Sequence, residues 1–196
     1  MPPAKKAVVA AVCLSTIGGV RYIAQTADGS IQPTMTTWLL FCVAVTLSMW
    51  TYVSTEKHDV LANVANLVDL VFCWVVLVTI VFISPHPRLG LSLFEVECIA
   101  AALLVGFIWR KTRQHASANI ALQGILVIAY LPTIYGLWYA TTNHESFSAW
   151  SIQWCAGLCM LVPPWKKRDG LALLYAARSF SFITLMLFLM TRIILR

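Results

Sequence analysis

The chain has 196 residues, 60% of them hydrophobic and 11% charged, with a mean hydropathy of +0.79 and a formal charge of +6. That balance excludes a soluble domain, because no core of this size could bury so much apolar sequence. The basic excess is spread over short connections, which excludes a nucleic-acid patch and is what a membrane protein uses to set its orientation.

Windows of about 18 to 22 residues give seven candidate transmembrane spans. They lie near 7–25, 35–53, 61–83, 91–109, 117–139, 148–164 and 171–191, and the connections leave no room for a separate extramembrane domain. Span one opens on Lys5 and Lys6 like a signal peptide, but Gly18 to Gln25 lacks the character of a cleavage region, so the span is read as retained. Near its end, Arg21 either snorkels to the interface or pairs with Glu95 or Glu97 of the fourth span. Asp28-Gly29 then marks a turn, Pro33 suits the first turn of span two, and Trp38 suits an interface.

Span two ends in Trp50 and Tyr52, and the short connection after it makes spans two and three antiparallel neighbours. Span three carries the polar centre. Asn63, Asn66 and Asp69 recur every three residues and form one stripe on a helix otherwise covered by apolar side chains. A charge at that depth costs on the order of 3 kcal/mol unless it faces a partner or a cavity. Two prolines and a glycine in 84–92 then end the helix and divide the chain into halves.

Span four has no counterpart elsewhere and ends in a basic cluster, Arg110, Lys111 and Arg113. Span five holds Gln123 and then Tyr130-Leu131-Pro132-Thr133. Pro132 frees a carbonyl there and predicts a kink, a hinge on which two helical ends rock. Span six carries Trp150, Gln153 and Trp154, and span seven carries Tyr175, Arg178, Ser179 and Thr184.

The six cysteines all fall inside spans. Cys155 and Cys159 stand four apart on one helix face, which suits small-residue packing rather than a disulfide or a metal. No phosphate-binding glycine loop, His-rich metal cluster or nucleophile–base spacing occurs, so an enzyme, a metal and a cofactor are not expected. The seventh span has no lysine for a retinal Schiff base, which excludes a rhodopsin-like pigment.

Alternate connections differ in charge. Lys5, Lys6, Lys57, Arg110, Lys111, Arg113, Lys166, Lys167 and Arg168 fall on one side, against Arg88, Arg192 and Arg196 on the other. Nine against three predicts a cytoplasmic N-terminus and an external C-terminus in a multi-pass protein of the cell membrane.

The halves on either side of span four also correspond. Residues 33–41 lie over 145–153 at an offset of 112, with Thr34 over Ser146 and Trp38 over Trp150, while Tyr22 and Tyr135 match at 113. The expected fold is therefore all-α: seven transmembrane helices in two parallel three-helix bundles, 7–83 and 117–191, joined by a linker helix at 91–109. The same offset sets Arg178 over Asn66, one turn from the place of Asp69. Both charges stand roughly 11–12 Å into their helices at 1.5 Å per residue. Two opposite charges at one depth predict an ion pair, either lining a solute cavity or locking the halves as a static pair.

In this arrangement the chain resembles the SWEET transporters and their half-size relatives of PQ-loop architecture. The resemblance is carried by Tyr130-Leu131-Pro132-Thr133-Ile134-Tyr135, by Glu145 to Trp150, and by Asn66, where the family places a cavity asparagine. It implies a solute path between the two bundles. Thr133 stands where the family has glutamine, and Arg178 replaces the second cavity asparagine, which suits an anionic or zwitterionic solute better than a neutral sugar. The expected solute site is Asn66, Asp69, Arg178, Tyr22, Tyr135 and Trp154, with Pro132 as hinge. The expected partners are the lipid bilayer and a small-molecule solute, with room for a homo-oligomer and none for nucleic acid. The alternative is a receptor or partner subunit that transports nothing, with a structural Asp69–Arg178 pair.

Overall fold

A computed structural model describes residues 3–55, 58–85 and 93–195. Lys57, Arg88 and Arg196 of the orientation argument, most of the 84–92 connection and the side chains of Glu95 and Pro132 lie outside that description.

The chain is all-α. Its helices are α1 (Pro3–Ala27), α2 (Met35–Val53), α3 (Val64–Phe82), α4 (Leu93–Thr112), α5 (His115–Ala129), α6 (Leu131–Tyr139), α7 (Phe147–Lys167) and α8 (Gly170–Ile194). α5 and α6 make a single pass interrupted at Tyr130, so the eight helices among the described residues give seven passes. The interruption falls where the sequence predicts a kink: proline cannot donate to the carbonyl four residues back, and the Tyr130 N–H bonds instead to the carbonyl of Val127 (3.2 Å). Five stretches, namely α1, α2, α3, α5–α6 and α8, are long and apolar enough to cross a bilayer by length and composition.

The passes alternate between two ends. At the amino-terminal end, Thr55, His58 and Asp59 after α2, Gln114 before α5, and the corner at Arg168 and Asp169 face a common cleft. At the opposite end, Gly29 (φ +79°) abuts Pro85, placing the α1–α2 and α3–α4 connections together. There, too, the end of α1 meets the start of α7, and Arg192 of α8 donates to the last carbonyls of α6.

Local sequence sets the sharpest corner. α7 ends in Lys166-Lys167, where cations offset the helix dipole, and Arg168 adopts the left-handed conformation (φ +54°). Asp169 then caps α8, its side chain accepting from the Ala172 N–H (3.0 Å).

α3 packs against both α1 and α2, and α8 against α5, α6 and α7. Across these groups α1 packs on α7, α2 on α5 and α3 on α8, while α4 lies against α2 and α5. The α1–α7 approach is close because Gly18 has no side chain: a Cβ there would stand 3.2 Å from the Ala149 carbonyl oxygen. Large apolar side chains such as Val71, Phe82, Phe107 and Phe188 point outward, and no aqueous surface would carry so many. The protein is a polytopic membrane bundle whose outer surface meets lipid.

Candidate functional site

The central cavity is built by helical spacing. α2 contributes Trp38, Phe41 and Val45; α3 contributes Asp69, Phe72 and Cys73; α8 contributes Tyr175, Arg178, Ser179 and Ile183. Each set follows the three-and-four rhythm of one helix face. α7 adds Trp150 and Gln153, and α5 adds Leu126, with Tyr130 at the break. The free volume is about 30 Å³, room for a water or two.

Asp69 and Arg178 share this cavity but form no direct ion pair. The one ion pair among the described residues is Lys167–Asp59, at the amino-terminal end. Tyr175 stands between the two charges: its hydroxyl donates to Asp69 Oδ2 (2.9 Å) and its ring lies 4.6 Å from the Arg178 guanidinium carbon. Arg178 is 8% exposed, donates from Nε to Gln123 Oε1 (3.0 Å) and, among the described residues, has no partner for Nη1. A buried charged donor without an acceptor is costly.

Below the cavity, toward the amino-terminal end, lies a layer of amides and hydroxyls. Asn66 Nδ2 (3.0 Å) and Gln123 Nε2 (2.9 Å) both donate to Ser48 Oγ. Asn119 Nδ2 donates to the Ser48 carbonyl (2.8 Å) and to Thr51 Oγ1 (3.1 Å). Beyond it, the Tyr52 hydroxyl meets the Asp59 carbonyl (2.9 Å) and the Asp169 carboxylate, and Lys167 meets Asp59. The hydrogen bond from Lys167 holds the Asp59 carboxyl below the ordinary range.

Above the cavity the closure is aromatic. The Tyr22 ring lies 5.4 Å from Trp38, 5.8 Å from Phe72 and 5.8 Å from Trp150. Glu145 caps the cluster, accepting from Trp150 Nε1 (3.0 Å) and the Tyr22 hydroxyl (3.3 Å). Burial lifts the Glu145 carboxyl above its ordinary range, against the opposing pull of those hydrogen bonds.

The expected site residues therefore separate. Asp69 and Arg178 line the cavity. Asn66 lies in the amide layer, fully buried, with its Oδ1 unpartnered. Tyr22 belongs to the aromatic closure. Tyr135 is 68% exposed on α6 against Tyr139 (ring centroids 4.7 Å apart), away from the cavity. Trp154 points along α8, its Nε1 donating to Thr184 Oγ1 (2.9 Å). The chain is interrupted beside Pro132, the position expected to act as a hinge. Arg21 donates to Ser148, and Glu97 is exposed, so the pairing considered for that arginine is not with Glu97.

Tyr130, Trp150, Gln153, Tyr175 and Ser179 complete the lining and were not among the expected residues. One signal pointed to them: Tyr175, Arg178 and Ser179 share a helix face, as do Trp150 and Gln153. The spacing of lining residues before and after span four differs by helix. Trp38 and Trp150, and Phe41 and Gln153, line the cavity at an offset of 112, whereas on α3 and α8 Asp69 and Ser179, and Cys73 and Ile183, do so at 110. Among the described residues no cluster of His, Cys, Asp and Glu has the form of a metal site. No protein-family model, curated protein or solved structure matches the chain.

Proposed function

We propose that this protein is a carrier or facilitator for a small anionic or zwitterionic solute, of SWEET-like 3+1+3 architecture and without enzymatic activity. The path runs between the unit 7–83 and the unit 117–191. The observation that carries this reading is that, among the described residues, Nη1 of Arg178 has no partner, on a buried side chain that lines the same mostly apolar cavity as Asp69. An anion would supply the missing acceptor, and a cationic group on a zwitterion would find Asp69.

The packing order supports two units related by rotation. In each half the third pass touches both others, and across the halves first packs on second, second on first and third on third. Trp38 and Trp150, equivalent in the repeat, converge on one tyrosine ring. The small cavity, sealed at both ends, suits the occluded state of an alternating-access cycle, in which one unit rocks against the other around a fixed site. The surplus of Lys and Arg at the amino-terminal end supports a cytoplasmic N-terminus in the cell membrane. The same tight closure favours a second reading, a receptor or partner subunit that transports nothing.

Uptake into liposomes, tested with a panel of anions and zwitterions and normalised to folded protein, decides between them. Asp69→Asn alone removes the carboxylate that shares the cavity with Arg178 and the charged acceptor of the Tyr175 hydroxyl, and is destabilising. The double variant Asp69→Asn with Arg178→Gln removes both charges and recovers the fold. On the carrier reading it then fails to transport, whereas full uptake by the double variant removes both residues from solute handling.

A further inference from the structure

The face of α1 and α3 turned to the bilayer carries a groove of about 350 Å³ that the central cavity does not account for. Its rims are apolar and exposed, with Val12 and Val20 on α1 and Val71 and Val75 on α3. It runs from the level of Val12 to that of Ile23, about 17 Å at 1.5 Å per residue. Spread over that length, the volume is a mean cross-section of about 20 Å². A helix 10–12 Å across needs a section of ~100 Å², so the groove is too narrow for a second transmembrane helix and suits a single hydrocarbon chain.

The floor of the groove is the ring of Phe72. Gly19 brings α1 against it: a Cβ on Gly19 would stand 3.3 Å from Phe72 Cδ2. The same ring lines the central cavity. One aromatic side chain thus lines both a chain-sized groove open to lipid and the cavity of a buried arginine whose Nη1 lacks an acceptor among the described residues. In the groove wall, Ser15 is buried and its hydroxyl has no partner among the described residues, although the neighbouring Thr16 hydroxyl bonds back to the Val12 carbonyl.

We propose that groove and cavity together form one site for a single-chain amphiphile with a small anionic head, of the long-chain fatty-acid class. The substrate comes laterally from the bilayer. Its tail lies between α1 and α3, Phe72 swings aside, and the carboxylate reaches Arg178. This rests on the reading of Arg178 as the receiver of an anion and narrows the solute class. The tail gains little by leaving lipid, which is as apolar as the groove. Selection therefore comes from the head, through charge-assisted hydrogen bonds in a water-poor site. The cavity has room for a carboxylate displacing a water or two, and none for a phosphodiester head bearing a second group.

The test uses the full chain in nanodiscs of phosphatidylcholine, with palmitate carrying a diazirine in its tail and, separately, radiolabelled propionate. Palmitate is expected to crosslink to α1 and α3 and to be displaced by unlabelled palmitate. Val71→Trp, at an exposed position that tolerates bulk, weakens palmitate binding at least tenfold by covering the groove. Val75→Trp provides the same block should the first variant fail to fold, and folding is checked by thermal melting. If propionate binds while palmitate neither crosslinks to these helices nor is displaced, the lateral amphiphile site is overturned and the central anion site stands. Undiminished palmitate binding in a folded Val71→Trp variant also overturns it. If neither acid binds, both readings fall.

Discussion

The two ends of the central cavity are closed by different chemistry. Toward the amino-terminal end, Ser48, Asn66, Asn119 and Gln123 form a hydrogen-bonded layer backed by Tyr52, Asp59, Asp169 and Lys167. At the opposite end, Tyr22, Trp38, Phe72 and Trp150 close over the site, with Glu145 as their polar cap. Opening the first means exchanging several directional hydrogen bonds, each costly to leave unmade in a water-poor interior. Opening the second means sliding rings past one another, losing contact area but leaving few polar groups unsatisfied. The aromatic end is therefore the easier of the two to open, and the polar end the firmer lock.

This contrast can be broken or sharpened by substitution. The largest effect is expected from Trp38→Ala or Trp150→Ala, each removing a buried ring at a cost of about 3–5 kcal/mol. Unfolding in mixed micelles measures both. A loss below 1 kcal/mol at either one would show that the aromatic closure does not depend on that tryptophan. Gln123→Leu should follow, at about 1–3 kcal/mol, because it deprives Arg178 Nε of its acceptor and Ser48 Oγ of a donor. If it costs nothing, the amide layer is not a lock.

Glu145 gives a pH test of the aromatic end alone. Its carboxyl is raised on folding, chiefly by burial, so the stability associated with it is fully present below the unfolded value and is lost as pH rises through the folded one. Melting temperature should therefore fall from mildly acidic toward neutral pH. Glu145→Gln keeps an acceptor for Trp150 and should raise stability at pH 7 while flattening that dependence; an unchanged profile would place its origin elsewhere. The smallest effect belongs to Lys167→Met. The Lys167–Asp59 pair is partly exposed, with side chains 36% and 42% accessible, and is worth at most about 1 kcal/mol. The lowered Asp59 carboxyl adds stability above its unfolded value that is lost in acid, so the difference between Lys167→Met and the parent should shrink as pH falls.

Class, number of passes and the two central charges follow from local properties of the chain. Apolar windows of bilayer length are a local property, and a charge inside one must face inward, so Asp69 and Arg178 were legible from composition and spacing alone. The break in the fifth pass was legible too, since proline removes a donor whatever surrounds it. Tertiary structure decided which side chains meet. Asn66 and Arg178 share an offset of 112, yet the cavity faces of α3 and α8 match at 110, so one residue falls in the amide layer and the other in the cavity. Tyr22 and Tyr135 correspond in sequence, yet Tyr22 is buried at the α1–α7 contact and Tyr135 faces outward on α6. Tyr175 separates the two charges expected to touch. A helix pattern specifies which face turns inward, but a shift of two residues along a neighbouring helix turns the face by about 200° at 3.6 residues per turn, and only the packing of the passes sets that register.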